Sequence, residues 1–219
     1  GMWEQKVHFR SNKSIINELL HLRSLGKKVV SFVDDTFIVD KERTKELCRL
    51  LIKNKLNIQY TCQGRVDSLD KEILKLLYDS GCRRIFFGIE SGSNKILKQI
   101  KKGFTIAIAL KALALTTAQG IKATASFIWG FPFETMKDFE MTIRAARKAR
   151  QLGAEVALSV LTPLPLSPIY KECKNDLIFP EHETTFVAGI LGSKLLQDPE
   201  VLALVKRYPY VFPTFYLYR

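Results

Sequence analysis

The chain has 219 residues, of which 47% are hydrophobic, and this is enough for one sizeable core in an ordinary globular protein. No apolar run approaches the roughly 20 residues of a membrane-spanning helix, and no secretory leader opens the sequence, so we expect a cytoplasmic protein without membrane contact. The 34 Lys and Arg residues against 22 Asp and Glu residues give a formal net charge of +12, which favours an anionic partner.

Predicted helices and strands alternate along the chain after a first helix at 13–25. Short apolar and β-branched runs predict five strands, at 29–33, 58–62, 84–89, 122–128 and 155–161. Capping acids and terminal glycines help to predict the remaining helices, at 41–53, 71–80, 93–101, 105–119 and 136–152.

Because helical sequence follows each of the first four strands, the pattern predicts βα units and a parallel sheet with right-handed crossovers. No glycine-rich phosphate-binding motif of the Rossmann or P-loop type follows any strand. We therefore expect an α/β fold that forms a partial TIM-like (β/α) barrel over residues 1–175. Residues 176–219 break this rhythm, and their aromatic and proline-rich sequence predicts a short irregular or helical C-terminal arm.

Polar residues and glycines follow the predicted strands, at the edge where parallel βα folds bind their ligands. Taken singly, these residues also have structural interpretations. Glu90 could cap the helix that starts near Ser93, and Arg65 could pair with Asp67. Together they predict a shared site, and its candidate residues are Asp34, Asp35, Arg65, Glu90, Ser91 and Gly130.

Five sequence motifs in this order resemble one known family. The motifs are "FVDDTF", "QGRVD", "FFGIESGS", "FIWGFPFET" and "PLPLSPIY". They resemble the successive strand ends of the radical S-adenosylmethionine (SAM) superfamily, over residues 3–175. The most similar branch is the one whose members often carry a cobalamin-binding domain, and it includes oxidative cyclases of the magnesium-protoporphyrin ester type.

The resemblance implies S-adenosylmethionine as the cofactor and gives each strand end a role. Asp34 and Asp35 lie where the family contacts the methionine end of the cofactor. Arg65 lies near the position of the cofactor carboxylate.

The next two strand ends match the nucleoside half of the cofactor. Glu90 and Ser91 match the strand that supplies ribose or amine contacts. Ile128 to Gly130 match the strand that contacts adenine. By this resemblance, Glu90 is a cofactor-binding carboxylate at a strand end.

The sequence departs from the family at the motif that its chemistry requires. Three cysteines in a CxxxCxxC motif ligate the family's [4Fe–4S] cluster, and this sequence contains no such motif. Cys62 falls at a strand end and could face the site, whereas Cys82 precedes its strand and Cys48 lies within a helix. We therefore expect no metal ligands, no cluster and no catalytic residue in these 219 residues.

The leading hypothesis is a truncated radical SAM barrel, without its first strand, that has no radical activity by itself. The parent activity would be reductive cleavage of S-adenosylmethionine for radical modification or methylation, for example of a tetrapyrrole. A first alternative is a non-catalytic nucleotide- or RNA-binding module. Nucleic acid is not the favoured partner, because the densest basic group, in the predicted helix at 136–152, is typical of a solvated helix face. An acid–base enzyme that uses Asp35 and Glu90 ranks last, because no histidine falls at a strand end.

The absence of a preceding strand leaves the segment at 29–33 with an open edge. Its sequence, "VVSFV", contains neither charge nor proline to discourage pairing with another chain. We expect homodimerisation through this edge, with fold-back of the N-terminal "KVHF" or the C-terminal arm as the alternative.

Overall fold

The computed structural model of the chain describes residues 7–164, 167–173, 175, 177–178, 199, 203, 207 and 216–217. No helix within these ranges is long and apolar enough to span a bilayer. The chain divides into two compact units. The larger comprises Phe9–Trp129 and Phe133–Ser159, and the smaller comprises Gly1–His8, Gly130–Pro132 and Val160–Arg219.

The predicted alternation of helices and strands is confirmed. The helices are α1 (Asn12–Ser24), α2 (Lys41–Lys53), α3 (Lys71–Asp79), α4 (Asn94–Gln99), α5 (Ile106–Ala118) and α6 (Met136–Gln151). The strands are β1 (Val29–Ser31), β2 (Gln59–Gly64), β3 (Cys82–Glu90), β4 (Lys122–Trp129) and β5 (Glu155–Val160). The largest differences from the sequence prediction are two residues at one end of an element: β1 and α4 end earlier, β2 ends later, and β3 begins earlier.

The helix ends follow from local chemistry. Asp40 and Asp70 each accept a hydrogen bond from a first-turn backbone amide, at Arg43 and Ile73. These bonds satisfy amides that have no partner inside the helix. Gly120 has a φ of +83°, in the left-handed region that glycine occupies without steric cost, and it ends α5.

The five strands lie in the sheet in chain order, β1-β2-β3-β4-β5. The pairs β1–β2, β2–β3 and β3–β4 are parallel. Consecutive parallel strands with right-handed crossovers place their helices on one face of the sheet. This is an open sheet with the architecture of a partial TIM-like barrel, as the sequence predicts.

The two faces of the sheet differ in burial. On β3, Ile85, Phe87 and Ile89 are fully buried in the core that the helices share. Phe86 points to the other face and is 42% exposed. The helix-covered face therefore carries the core, and the other face is open along the strands that the structure describes.

In the smaller unit, the described elements are α7 (Pro168–Cys173) and two short strands, β6 (Leu177–Ile178) and β7 (Tyr216–Leu217). The two strands pair antiparallel, which the sequence did not predict for the arm. Most of the predicted arm at 176–219 lies outside the described residues.

Candidate functional site

The C-terminal end of β3 carries an unusual backbone. Its register with β4 shifts between Gly88 and Glu90, and Glu90 has a φ of +74°. A left-handed φ is costly for a residue with a side chain and persists only where the surroundings fix it. The carboxylate turns back over Gly88, where an added Cβ would lie 2.6 Å from Glu90 Oε1. Glycine at position 88 therefore makes room for this carboxylate.

Glu90 forms an ion pair with Lys102, which follows α4. Lys102 Nζ lies 3.0 Å from Glu90 Oε1, and the two side chains are only 23% and 19% exposed. A partly buried pair is less screened by solvent than a surface pair. Lys102 is a partner of the candidate residue Glu90 that the sequence did not indicate.

Arg65 is held by its own partners. Its guanidinium binds Asp67 through two contacts, Nε–Oδ1 at 3.0 Å and Nη2–Oδ2 at 2.8 Å. This pairing lowers the pKa of Asp67 below its usual value. Arg65 Nη2 also donates to the backbone carbonyl of Lys102 at 2.7 Å. The structural interpretation of Arg65, a pair with Asp67, is confirmed, while its contact with the cofactor carboxylate stays a prediction.

The loop that follows Glu90 is anchored to α6. Ser91 is fully buried, and its hydroxyl lies 3.1 Å from Thr142 Oγ1. The amide of Gly92 donates to the same Thr142 oxygen at 3.0 Å. A Cβ on Gly92 would collide with the backbone carbonyl of Met141. The Ser91 side chain thus positions the loop, and its predicted contact with a ligand is not tested by these bonds.

The bonds that hold this loop to α6 centre on Asp138, at the N-terminal end of the helix. We call Asp138 and its partners Ser93, Thr135 and Lys95 the β3 anchor. The Asp138 carboxylate accepts hydrogen bonds from Ser93 Oγ at 2.7 Å and from Thr135 Oγ1 at 2.6 Å. It also pairs with Lys95 Nζ at 3.2 Å. These donors, Thr135 and Ser93 first, hold the pKa of Asp138 well below its usual range. The Thr135–Asp138 capping box is readable from the sequence, but its bond to Ser93 is not.

The two carboxylates at the end of β1 have a different environment from that of Glu90. The side chains of Asp34 and Asp35 are exposed, and they form no hydrogen bond or ion pair with any residue that the structure describes. The neighbouring backbone is held to β2, because Phe32 N donates to Thr61 O and Phe37 N donates to Gln63 O, both at 2.9 Å. Both carboxylates are therefore available to a ligand at the edge that they share with β2 and β3.

Two predicted residues lie at the carboxyl end of the fourth strand, Ile128 within it and Gly130 just after it. Ile128 is partly exposed, and it alternates along β4 with the buried Phe127. Gly130 belongs to the smaller unit and has a φ of +91°. Their predicted contacts with adenine stay predictions.

Three of the four cysteines lie in the core instead of at the site. Cys62 is 1% exposed and lies in the helix-covered core with Cys48 and Cys82, so the expectation that it could face the site is wrong. The cause is strand alternation, since Tyr60 and Cys62 share the buried face of β2. A hydrogen bond with Cys82, together with burial, raises the pKa of the Cys62 thiol.

Comparison with known proteins decides the family. The family model described as "Radical SAM superfamily" matches residues 2–146. The chain belongs to the radical SAM superfamily. An uncharacterized methyltransferase of Pyrococcus horikoshii is 35% identical over 94% of this chain and 45% of its own length.

Two further proteins are similar to this chain, one in sequence and one in fold. The anaerobic magnesium-protoporphyrin IX monomethyl ester cyclase of Rubrivivax gelatinosus is 26% identical over 88% of this chain and 35% of the cyclase. The radical SAM methyltransferase TsrM of Kitasatospora setae, whose structure holds cobalamin and a [4Fe–4S] cluster, superposes with a TM-score of 0.68. That alignment has 20% identity and covers 77% of this chain and 36% of TsrM. This radical SAM chain spans less than half the length of these relatives.

The family uses S-adenosylmethionine together with a [4Fe–4S] cluster. The residues at the carboxyl edge of this sheet suit S-adenosylmethionine better than they suit a cluster. Exposed carboxylates and a Glu–Lys pair at one sheet edge suit a ligand with ammonium, carboxylate and hydroxyl groups. The core cysteines do not suit a cluster, because thiolates are the ligands and burial raises the pKa of the Cys48 thiol. No group of three His, Cys, Asp or Glu side chains in the described part of the chain is arranged to hold a metal ion.

Proposed function

We propose that these 219 residues form the S-adenosylmethionine-binding part of a radical SAM enzyme of the methyltransferase or oxidative-cyclase type. The observation that carries this proposal is the position of Asp34, Asp35 and Glu90 at the carboxyl ends of β1 and β3, which lie on either side of β2 in the parallel sheet. Ligands of parallel βα folds bind at this edge. The superfamily match and the methyltransferase relative support the choice of cofactor.

Each carboxylate has a suitable part of the ligand to bind. Ionised carboxylates accept hydrogen bonds only, so they pair with the ammonium and hydroxyl groups of S-adenosylmethionine. Glu90 is already fixed in position by its bulge and by Lys102. Ile128, on β4, offers an apolar contact for the adenine ring. When bound, S-adenosylmethionine supplies the methyl or adenosyl group that the family's reactions use.

We further propose that these residues have no radical activity by themselves. Cleavage of S-adenosylmethionine to a radical requires an electron from the cluster. The sequence contains no CxxxCxxC motif, and three of its four cysteines are buried in the core. The parent reaction, whether methylation or oxidative modification of a tetrapyrrole or another substrate, would need cluster ligands from outside these residues.

Equilibrium dialysis with labelled S-adenosylmethionine tests the binding proposal. Since the cluster normally chelates the amino and carboxylate groups of the cofactor, we expect weak binding here. The dissociation constant should be no better than about 0.1–1 mM, or about −4 to −5.5 kcal/mol. Glu90→Ala should weaken binding further. Micromolar affinity that collapses in Glu90→Ala would instead favour a dedicated binding module, and no binding at millimolar ligand would contradict the proposal.

Anaerobic reconstitution with iron and sulfide tests the cluster proposal separately. We expect no stoichiometric iron and no broad visible absorbance. Stoichiometric iron that is lost in Cys62→Ala would contradict the assignment of this thiol to the core. Cys173→Ala is the matched control, because Cys173 lies on α7 outside the core cluster.

An RNA-binding module is the second candidate function. The feature that favours it is the basic C-terminal half of α6, where Arg147, Lys148 and Arg150 are exposed. Binding through such a face depends steeply on salt because phosphate contacts release counterions. A mobility shift with single-stranded RNA at 50 and 200 mM salt, compared with the triple Arg147→Ala, Lys148→Ala and Arg150→Ala variant, tests this candidate.

A further inference from the structure

We propose that a groove between α1 and α2 binds a nucleoside monophosphate. Lys13 and Arg43 bind the phosphate, and Asn12 and Glu46 accept hydrogen bonds from the sugar hydroxyls. The groove has a volume of about 550 Å³, within the usual range for small-molecule sites. Its described lining includes none of the candidate residues at the strand ends. The inference therefore concerns a second site and does not depend on the proposed function.

The first argument is an unpaired acceptor. Asn12 Oδ1 is shielded from solvent and accepts no hydrogen bond from the residues that the structure describes. The amide cannot simply be turned over, because its Nδ2 donates to Glu46 Oε2 at 2.9 Å and to the Arg43 carbonyl at 3.4 Å. A buried acceptor without a donor is costly, and a ligand hydroxyl would remove that cost. The neighbouring Lys13 and Glu46 are exposed, so a ligand can reach this oxygen by shifting side chains without opening the core.

The second argument is a pair of cations without carboxylate partners. The Arg43 guanidinium donates through Nη2 to the Arg10 carbonyl at 2.6 Å and lies 4.6 Å from the centre of the Phe9 ring. These contacts position the group, while no described residue takes its other side-chain N–H donors. Lys13 is exposed, and its ammonium has no ion pair in the described part of the chain. Both cations are therefore available to a phosphate.

The charge of the groove favours a phosphate over a zwitterion. Of the described residues that line it, two are cationic, Lys13 and Arg43, and one is acidic, Glu46. The first amides of α1, at Asn12 and Lys13, have no partner inside the helix, and the helix dipole favours an anion at this end. A dianionic phosphate monoester therefore fits the groove better than an amino acid, which carries no net charge.

The third argument is the apolar part of the groove. Ile16, which is 7% exposed, and Leu50 also line it. Leu50 follows Arg43 by two turns of α2, a rise of about 10 Å that one nucleotide can bridge. A phosphate at Arg43 and a planar base on the apolar side chains are the two ends of one nucleotide. The ribose hydroxyls then lie between these ends, where Asn12 and Glu46 offer acceptors.

Four compounds test the parts of this ligand separately. Cytidine 5′-monophosphate is the probe, cytidine lacks the phosphate, ribose 5-phosphate lacks the base, and inorganic phosphate lacks both. A cytidine nucleotide is used because the proposed function expects an adenosine ligand at the strand ends. Backbone amide NMR titration gives the location and the dissociation constant together. We expect shifts at Asn12, Lys13 and Glu46 and none at Glu90, with cytidine bound at least about tenfold more weakly than its monophosphate.

Three variants show whether the two cations bind the phosphate. Lys13→Met and Arg43→Met should each weaken cytidine 5′-monophosphate about fivefold or more and leave cytidine unchanged within about twofold. Because Lys13 has no described partner, its variant removes no contact within the described part of the chain. Lys53→Met is the matched control, since this exposed lysine at the end of α2 is not among the described lining residues, and it should change neither affinity.

Shifts confined to the groove, with the phosphate-dependent loss in Lys13→Met and Arg43→Met alone, support the inference. Equal affinities for inorganic phosphate and cytidine 5′-monophosphate would reduce the groove to a general anion site and contradict the nucleotide. Equal losses in all three variants would show that only the overall charge matters, which also contradicts it. No shifts at millimolar ligand would contradict it as well. These outcomes leave the proposed function untouched, because S-adenosylmethionine binding at the strand ends is measured separately.

Discussion

The ends of β3 and β1 carry the carboxylates predicted for the same ligand, yet they are constructed differently. At β3, Glu90 has a left-handed backbone and a lysine partner, and the loop behind it is buried against α6. At β1, Asp34 and Asp35 are exposed, and no described residue bonds to their side chains.

This difference shows which half of the site is preorganised. The β3 end already has its geometry without a ligand, and the cost of holding Glu90 in a left-handed conformation is offset by the buried hydrogen bonds behind it. The side chains at the β1 end have no such bonds to the described residues, and we expect these carboxylates to take a defined position only when a cationic group of a ligand binds. Substitutions behind β3 should therefore affect folding, and substitutions at β1 should affect only binding.

Substitution of Asp138, the centre of the β3 anchor, should have the largest effect on stability. Asp138→Ala leaves the buried hydroxyl of Ser93 and the more exposed hydroxyl of Thr135 without their acceptor, and we expect a loss of about 3 kcal/mol in the free energy of unfolding. Urea denaturation measures it. Glu140→Ala, which removes an exposed pair with Arg144 on the same helix, should cost less than about 0.5 kcal/mol. Equal losses in the two variants would contradict the anchor.

The next largest loss of stability is expected where the backbones of Gly92 and Met141 approach each other closely. Gly92→Ala places a Cβ against the Met141 carbonyl and should cost about 2 kcal/mol, because neither backbone can yield easily. The control is Gly26→Ala, where φ is +76° and no atom lies within 4 Å of the added Cβ. That variant bears only the conformational cost of about 1 kcal/mol. A smaller loss for Gly92→Ala than for Gly26→Ala would show that the loop does not pack as described.

The hydrogen bonds of Asp138 also predict that the stability of the fold depends on pH. Since the pKa of Asp138 is lowered on folding, the unfolded chain binds more protons near the ordinary Asp pKa of about 3.9. The stabilisation is therefore present above about pH 4 and is lost as the pH falls towards the folded-state pKa. Urea midpoints from pH 6 to pH 3 should fall more for the wild type than for Asp138→Asn. Parallel curves would contradict the assignment.

Much of the fold is readable from local sequence. Asp40 and Asp70 mark helix starts, and the strand positions follow from short apolar runs between them. The orientation of Cys62 was also within reach, because the apolar Tyr60 two residues earlier shares its face of β2. This alternation places the thiol in the core.

The site residues were harder to predict because their partners are distant in sequence. Glu90 and Lys102 meet only because α4 is short and the chain turns at Lys101 and Gly103, and these backbone angles are not readable from residue types alone. The buried position of Ser91 depends on Thr142, 51 residues away. Position at a strand end identified the candidate residues, but it could not distinguish a ligand-binding side chain from one that anchors a loop.

A substitution at the outer edge of β1 should have the smallest effect on stability. Val29 is 65% exposed on this three-residue strand, which in the described sheet pairs only with β2. We expect the chain to dimerise through this edge. Val29→Lys should reduce the dimer fraction in light scattering across a concentration series while changing stability by less than about 0.5 kcal/mol. A monomer at every concentration, with slow amide exchange in Val29–Ser31, would indicate that another segment of the chain covers the edge.

The location of ligand binding tests the central claim most directly. Backbone amide NMR of the chain, with S-adenosylmethionine added to millimolar concentration, measures it residue by residue. We predict shifts at Asp35, Glu90 and Lys102, and none at Arg84 and Glu155, whose ion pair lies at the opposite ends of β3 and β5. Shifts confined to the amino ends of the strands or to α6, or no shifts at all, would contradict the account.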